Sequence, residues 1–208
     1  MASTIPQLLL ETTTLHIDGP AQLIKQPDGS FRRRAYKDLA AEVYRFAAGV
    51  SRIGVSRGDR VGLISENRPE WLVADLAIQS LGAADVPRGN DTMPDELAFI
   101  LSFSECSVVV VENAEQLAKL SGIRSSLKTL RHVIVLDPAF DPAGPSVKEA
   151  RMRRVTVHTY DQIVHEGDVR LEREPRFVEE QIDQGTGDES ATIILTSGTT
   201  GEPKGVVL

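Results

Sequence analysis

The stretch Ile193-Ile194-Leu195-Thr196-Ser197-Gly198-Thr199-Thr200-Gly201-Glu202-Pro203-Lys204-Gly205-Val206 reads as an apolar strand, a loop of glycines and hydroxyls with one lysine, and the start of a second strand. Gly198 and Gly201 can take positive φ at little steric cost. Successive amide N–H groups then turn into one concavity and form an anion nest. Thr196, Ser197, Thr199 and Thr200 add hydroxyl donors, and Lys204 adds a compact cation suited to a polyphosphate. The loop is therefore read as a phosphate site. It is not a Walker A loop, which needs Gly directly before Lys and Ser or Thr after it. Here Pro203 precedes Lys204 and Gly205 follows it. With a strand rather than a helix behind the loop, no helix dipole assists, which argues against kinase or GTPase chemistry. On composition alone, a ligand-free hairpin rich in glycine and threonine reads equally well.

Working outward, Gly185 to Asp188 is a linker, Glu172 to Asp183 an exposed charged helix, Val155 to Tyr160 a strand and Asp161 to His165 a short helix. Asp137 to Lys148, rich in Pro and Gly, is expected as a surface loop. His132 to Leu136 and Val108 to Val111 are buried strands, with helix at Ala114 to Lys119 between them. Thr92 is placed as the N-cap of a helix running to about Ser104. Arg60 to Ser65 and Ala83 to Val86 are strands around a helix over Glu70 to Leu81. In Tyr36 to Ile53, Leu39, Val43, Phe46, Ala47, Val50 and Ile53 fall on one helical face, and Gly54 caps the end. Leu23 to Gln26 and Phe31 to Ala35 flank the turn Pro27-Asp28-Gly29-Ser30 as a β-hairpin, and Gln7 to Thr14 is a short helix. Alternating strands and helices imply an α/β fold with a mostly parallel sheet and flanking helices.

The bulk numbers suit a globular protein with an aliphatic core: 208 residues, 41% hydrophobic and only 5% aromatic. A net charge of -7 argues against non-specific nucleic-acid binding. Two basic runs, Arg32-Arg33-Arg34 and Arg151-Met152-Arg153-Arg154, could each meet an acidic partner or an anionic lipid, and otherwise read as solvated surface. Cys106 is the single cysteine, so no internal disulfide forms and a reducing compartment is expected, with Cys106 as buried filler. The N-terminus lacks the features of a signal peptide, and no apolar run approaches a membrane span. A cytoplasmic location is expected, with peripheral membrane contact left open. His16, His132, His158 and His165 are scattered, without metal-ligand spacing.

Read whole, the string from Ile193 to Val206 closely resembles the phosphate-loop signature of the adenylate-forming superfamily, which includes acyl-CoA synthetases, luciferases and nonribosomal peptide adenylation domains. At residue frequencies of roughly 5 to 7%, about nine specified positions match by chance far less than once per proteome. Further stretches are similar to that family: Tyr36-Lys37-Asp38-Leu39, Gly58-Asp59-Arg60-Val61 and Glu66-Asn67-Arg68-Pro69-Glu70-Trp71. Gly82-Ala83-Ala84-Asp85-Val86-Pro87-Arg88-Gly89-Asn90-Asp91-Thr92 and Leu130-Arg131-His132-Val133-Ile134-Val135-Leu136 resemble the bacterial long-chain fatty acyl-CoA synthetases. Leu195 departs from the pattern, which commonly has Tyr there.

The resemblance implies an ATP-dependent ligase that converts a fatty acid to an acyl-adenylate and passes it to coenzyme A. Its partners would be ATP, Mg²⁺, fatty acid and coenzyme A, with no nucleic acid. Thr196, Ser197, Gly198, Thr199, Thr200, Gly201 and Lys204 would hold the nucleotide, Thr196 would also meet the Mg²⁺, and Thr196 and Lys204 would act in catalysis. The family's ribose site, acyl tunnel and C-terminal lid have no counterpart in residues 1–208. The chain is thus expected to be the incomplete N-terminal part of the AMP-binding domain, inactive alone, with apolar surface uncovered near residues 185–208. Another adenylate-forming activity, half of a split ligase and a non-catalytic nucleotide-binding module are the alternatives.

Overall fold

The computed structural model describes residues 2–145, 147–148, 154–196 and 204–208. Helix α1 (Ile5–Leu15) starts at Thr4, whose hydroxyl accepts from the Gln7 amide at 3.3 Å. Strands β1 (Pro20–Lys25) and β2 (Phe31–Ala35) form an antiparallel hairpin that shares no strand with the main sheet. Helix α2 (Tyr36–Arg52) buries Leu39, Val43, Phe46, Ala47 and Val50, and Gly54 follows it at φ 101°. That left-handed turn closes the helix where a side chain would be strained.

The main sheet holds β3 (Arg60–Ile64), β4 (Ala84–Arg88), β5 (Val108–Val111), β6 (His132–Val135) and β7 (Thr156–Thr159). All neighbours run parallel, in the order β4-β3-β5-β6-β7. Helix α3 (Pro69–Ser80) links β3 to β4, α4 (Pro94–Phe103) links β4 to β5, and α5 (Ala114–Gly122) links β5 to β6. The chain moves one way along the sheet from β3 to β4, then back across β3 to β5. Right-handed crossovers therefore put α3 on one face and α4 and α5 on the other. Two cores result. Val61, Leu63, Val108, Val110 and Ile134 meet α2 and α3. Ile64, Val86, Val109, Val111, Val133 and Val135 meet α4 and α5. Strand β5 alternates between them, which is why its four residues are all valine and all buried.

After β7 the structure departs from the sequence expectation. The helix there is α6 (Tyr160–Arg173), far longer than Asp161 to His165, and it opens with a capping box between Thr159 and Gln162. It lies against α2 at two glycines. A Cβ on Gly167 would stand 1.8 Å from the Arg45 carbonyl oxygen, and one on Gly49 would stand 2.0 Å from that of Ile163. Polar pairs flank the contact: Tyr160 donates to Glu42 at 2.5 Å, Arg52 meets Glu166 at 2.6 Å and Arg170 donates to Ser51 at 2.7 Å.

Other expectations are corrected too. The charged stretch from Glu172 is not one exposed helix, because Pro175 interrupts it. Helix α7 (Phe177–Asp183) then buries Val178 and Ile182. The N-cap of α4 is Met93, and the Thr92 hydroxyl instead donates to the Gly89 carbonyl at 2.9 Å. Helix α5 runs on past Lys119 to Gly122. Within the loop after β6, Phe140 and Val147 are buried in the second core. His132 and His158 are not scattered: register places them diagonally on β6 and β7, with Nδ1 and Nε2 3.1 Å apart.

Strands β8 (Ile193–Thr196) and β9 (Lys204–Val207) form an antiparallel pair. Leu195 is buried in the second core, whereas Ile194, Val206, Val207 and Leu208 are exposed, as expected near residues 185–208. Among the described residues no helix is long and apolar enough to cross a membrane.

The α2–α6 seam makes a direct prediction. Gly167→Ala should destabilise the fold by about 3 kcal/mol in urea denaturation, because backbone cannot yield as a side chain does. Gly122→Ala, whose Cβ would meet nothing within 4 Å, should shift stability by less than about 1 kcal/mol.

Candidate functional site

In an open parallel sheet, ligands bind beyond the carboxyl ends of the strands, where the winding direction reverses. Here that point lies between β3 and β5. Three loops converge there. The Glu112 carboxylate, after β5, accepts from the Glu66 amide at 2.8 Å and from Asn90 Nδ2 at 3.2 Å. Glu66, after β3, accepts from the Asn90 amide at 3.4 Å. Lys119 of α5 donates to the carbonyls of Asn90 at 2.6 Å and Thr92 at 3.0 Å. Arg88 pairs with Glu96 at 2.6 Å.

Beside these loops is an open cleft of about 320 Å³ lined by Ser65, Glu66, Asn67, Trp71, Pro87, Arg88 and Gly89. Its two charged residues are engaged elsewhere, Glu66 by the Asn90 amide and Arg88 by Glu96, so they brace loops. Sequence reasoning had quoted Glu66, Asn67, Arg88 and Asn90 only as family resemblance. Their convergence was not legible, since the bonds span separations of 22 to 46 residues. The signal that could have found them is position: they lie at or just beyond the carboxyl ends of β3 and β4.

The β8–β9 hairpin reaches this same end. Thr192 bridges Asp85 in parallel, and the Asp85 amide donates to the Ala191 carbonyl at 3.2 Å. Strand β8 therefore runs alongside β4 and leaves toward the carboxyl edge. Register pairs Thr196 with Lys204, so the loop between them begins and ends at one place. Lys204 is exposed at that neck. Ser197, Gly198, Thr199, Thr200 and Gly201, and the side chain of Thr196, lie outside the described residues.

The bridge sits on a buried carboxyl. Asp85 is 1% exposed, and its Oδ1 has no hydrogen-bond partner among the described residues. Burial pushes it up to about 7, with the charge of Asp75 adding to the rise and the Thr192 hydroxyl offsetting part of it. Burial also raises Asp75, against the bond it accepts from Gln79 at 2.7 Å. Elsewhere, burial holds His158 down to about 4, and His132 adds to this. Burial pushes the Cys106 thiol up to about 12, in keeping with its role as filler. A second cleft, about 170 Å³, opens at the amino end of the sheet between α1 and the segment leading into β8. Arg57 closes it by pairing with Glu189 and donating to the Gln181 carbonyl at 2.7 Å. It is a seam between segments, far from the carboxyl edge.

The site is thus a parallel sheet wound in both directions with a glycine-rich hairpin at its carboxyl edge, where such sheets bind ligands. The chain belongs to the AMP-binding enzyme family, whose model matches residues 18–208. It is 32% identical over 178 residues to the long-chain-fatty-acid–[acyl-carrier-protein] ligase AEE15, chloroplastic, of Arabidopsis thaliana, covering 83% of this chain and 24% of that protein. It is 28% identical over 193 residues to the long-chain-fatty-acid–CoA ligase FadD15 of Mycobacterium tuberculosis, covering 92% of this chain and 29% of that protein. The chain thus spans about a quarter of the length of the curated relatives it matches. In fold it is similar to the A-PCP didomain of a carboxylic acid reductase from Segniliparus rugosus, solved in complex with AMP. The TM-score is 0.79 at 22% identity, over 98% of this chain and 31% of that one.

The buried carboxyl sets a pH dependence. A raised folded value means the folded state holds the proton more tightly than the unfolded chain. The resulting penalty is absent below about pH 4, grows as pH rises toward 7 and is fully present above it. Asp85→Asn should therefore stabilise the protein by up to about 4 kcal/mol at pH 8, with the gain fading by pH 4. Chemical denaturation across that range measures it. Comparison with wild type cancels His158, whose lowered value makes stability fall as pH drops from 6.5 toward 4.

Proposed function

We propose that this chain is the N-terminal part of the AMP-binding domain of a long-chain fatty acid–CoA ligase, ending just after the phosphate loop at 196–205, with the C-terminal lid outside residues 1–208. The observation that carries the reading is the register of β8 and β9. It sets Lys204 opposite Thr196, at the neck of a glycine- and hydroxyl-rich loop on the carboxyl side of a parallel sheet. The long-chain fatty acid ligases among the relatives support the substrate class.

In this reading a fatty-acid carboxylate oxygen attacks the α-phosphorus of ATP. A P–O bond forms, the α–β bridge breaks, and pyrophosphate leaves with its electron pair. A thiol then attacks the acyl carbonyl, a C–S bond forms and AMP departs, with the thiol proton passing to solvent. Ser197, Gly198, Thr199, Thr200 and Gly201 hold the β- and γ-phosphates through loop amides and hydroxyls. Lys204 meets the charge growing on the leaving pyrophosphate, where fixed donors favour the transition state. Bound Mg²⁺, which Thr196 would ligate, neutralises phosphate charge. One relative is an acyl-carrier-protein ligase, so the acceptor thiol is the point at which a second reading enters.

The test is fatty-acid-dependent exchange of labelled pyrophosphate into ATP by the gene product that carries this chain. Lys204→Ala should slow exchange about 100-fold while fatty-acid binding changes little. Undiminished exchange would sink the assignment of Lys204. Thioester formed on acyl carrier protein but not on coenzyme A would replace the acceptor and leave the adenylation step intact.

A further inference from the structure

The β1–β2 hairpin presents a surface that the ligase reading leaves unexplained. Register pairs Leu23 with Arg33 and Lys25 with Phe31. Cross-strand partners share a face, and side chains alternate along each strand. Leu23, Lys25, Phe31 and Arg33 therefore project together, and all four are exposed. Leu23 is 66% and Phe31 62% accessible. The opposite face is turned to the body: Arg34 pairs with Glu42 at 2.9 Å, and Gln22 donates to the Pro69 carbonyl at 3.4 Å.

On the outward face, Leu23 and Phe31 form one diagonal and the two cations form the other. Among the described residues Arg33 bonds only the Asp18 carbonyl oxygen, while the Asp18 carboxylate is taken by Lys37 at 2.7 Å. The exposed Ile17 adjoins the hairpin's base, where its carbonyl accepts from the Lys37 amide at 3.1 Å. Charge is local as well. Ile17 to Lys37 holds five cations and two carboxylates, in a chain of net charge -7.

We propose that this face docks on an anionic lipid bilayer. Leu23 and Phe31 enter the headgroup–acyl boundary, and Lys25 and Arg33 lay their apolar stems alongside and reach lipid phosphates with their charged ends. An acidic protein surface would satisfy the cations. It would leave two large apolar side chains projecting from a polar rim with nothing to receive them. A single small hairpin makes the attachment weak and reversible. The proposal is independent of the ligase reading, because vesicle binding requires no turnover.

The test is co-sedimentation of the gene product that carries this chain with vesicles of phosphatidylcholine and phosphatidylglycerol, against phosphatidylcholine alone. Binding should favour the anionic vesicles and weaken as salt rises. Lys25→Gln and Arg33→Gln should each lower the partition coefficient about fivefold, and the pair Leu23→Ser and Phe31→Ser about tenfold or more. Far-ultraviolet circular dichroism reports whether each variant is folded. Phe31→Trp in otherwise intact protein adds a signal that should shift to the blue on insertion. No binding to anionic vesicles overturns the proposal. So does binding that the serine pair leaves unchanged with no blue shift, which would assign the cations to an acidic protein surface.

Discussion

The backbone contact of α2 with α6 at Gly49 and Gly167 is the constraint on which the rest of the structure rests. Helix α2 precedes the first strand of the parallel sheet, and α6 follows the last. Their contact is a clasp over Val110 and Ile134 on the face they share with α3. It works because neither glycine carries a Cβ. Main-chain atoms approach to distances that side chains forbid, and dispersion gains from every atom pair along the seam. The ion pairs beside it are half exposed and contribute little by comparison. With that face covered, the strands can be buried on both sides, and a wholly parallel sheet is tolerable only in that state.

Burial on both sides leaves the sheet's ends as the place for chemistry, and the two ends are used differently. At the amino end, Arg57 and its partners stitch the chain's segments together. At the carboxyl end, Glu66, Asn90, Glu112 and Lys119 tie three loops into one frame. The β8–β9 hairpin meets the sheet through a bridge at Asp85, near the start of β4, and through Leu195 in the second core. Burial raises the Asp85 carboxyl to about 7, so the link between sheet and hairpin holds a group whose charge is weakly committed near neutral pH.

Most of the fold was legible because apolar runs such as Val108 to Val111 are bounded by polar or glycine residues, and because α2 carries a clean apolar stripe. Helix α6 was not. It packs through Gly167 and few apolar side chains, so hydrophobic periodicity passes over it. The pairing of His132 with His158 depends on strand register, and the frame around Glu112 depends on which loops meet; neither is local. The phosphate loop was legible for the opposite reason, since its chemistry is carried by consecutive residues. The outward face of the β1–β2 hairpin lies between. Its basic run was visible in sequence, but the exposure of Leu23 and Phe31 beside it needed the fold.

Strand β5 holds one more consequence. Four identical residues give a strand few marks of its own, so sliding it along its neighbours by one place would exchange valine for valine at three of its four positions. Alignment must come from the flanks. At one end the Ser107 carbonyl accepts from the amides of Arg131 and His132 at 2.8 and 3.1 Å. At the other, the Glu112 amide donates to Ile64 at 2.9 Å while its carboxylate meets Glu66. Glu112 thus acts as the fiducial for a degenerate strand. The residues that shape the cleft also keep the sheet from being misaligned, so drift at this site would be corrected by selection on folding even where catalysis is not at stake.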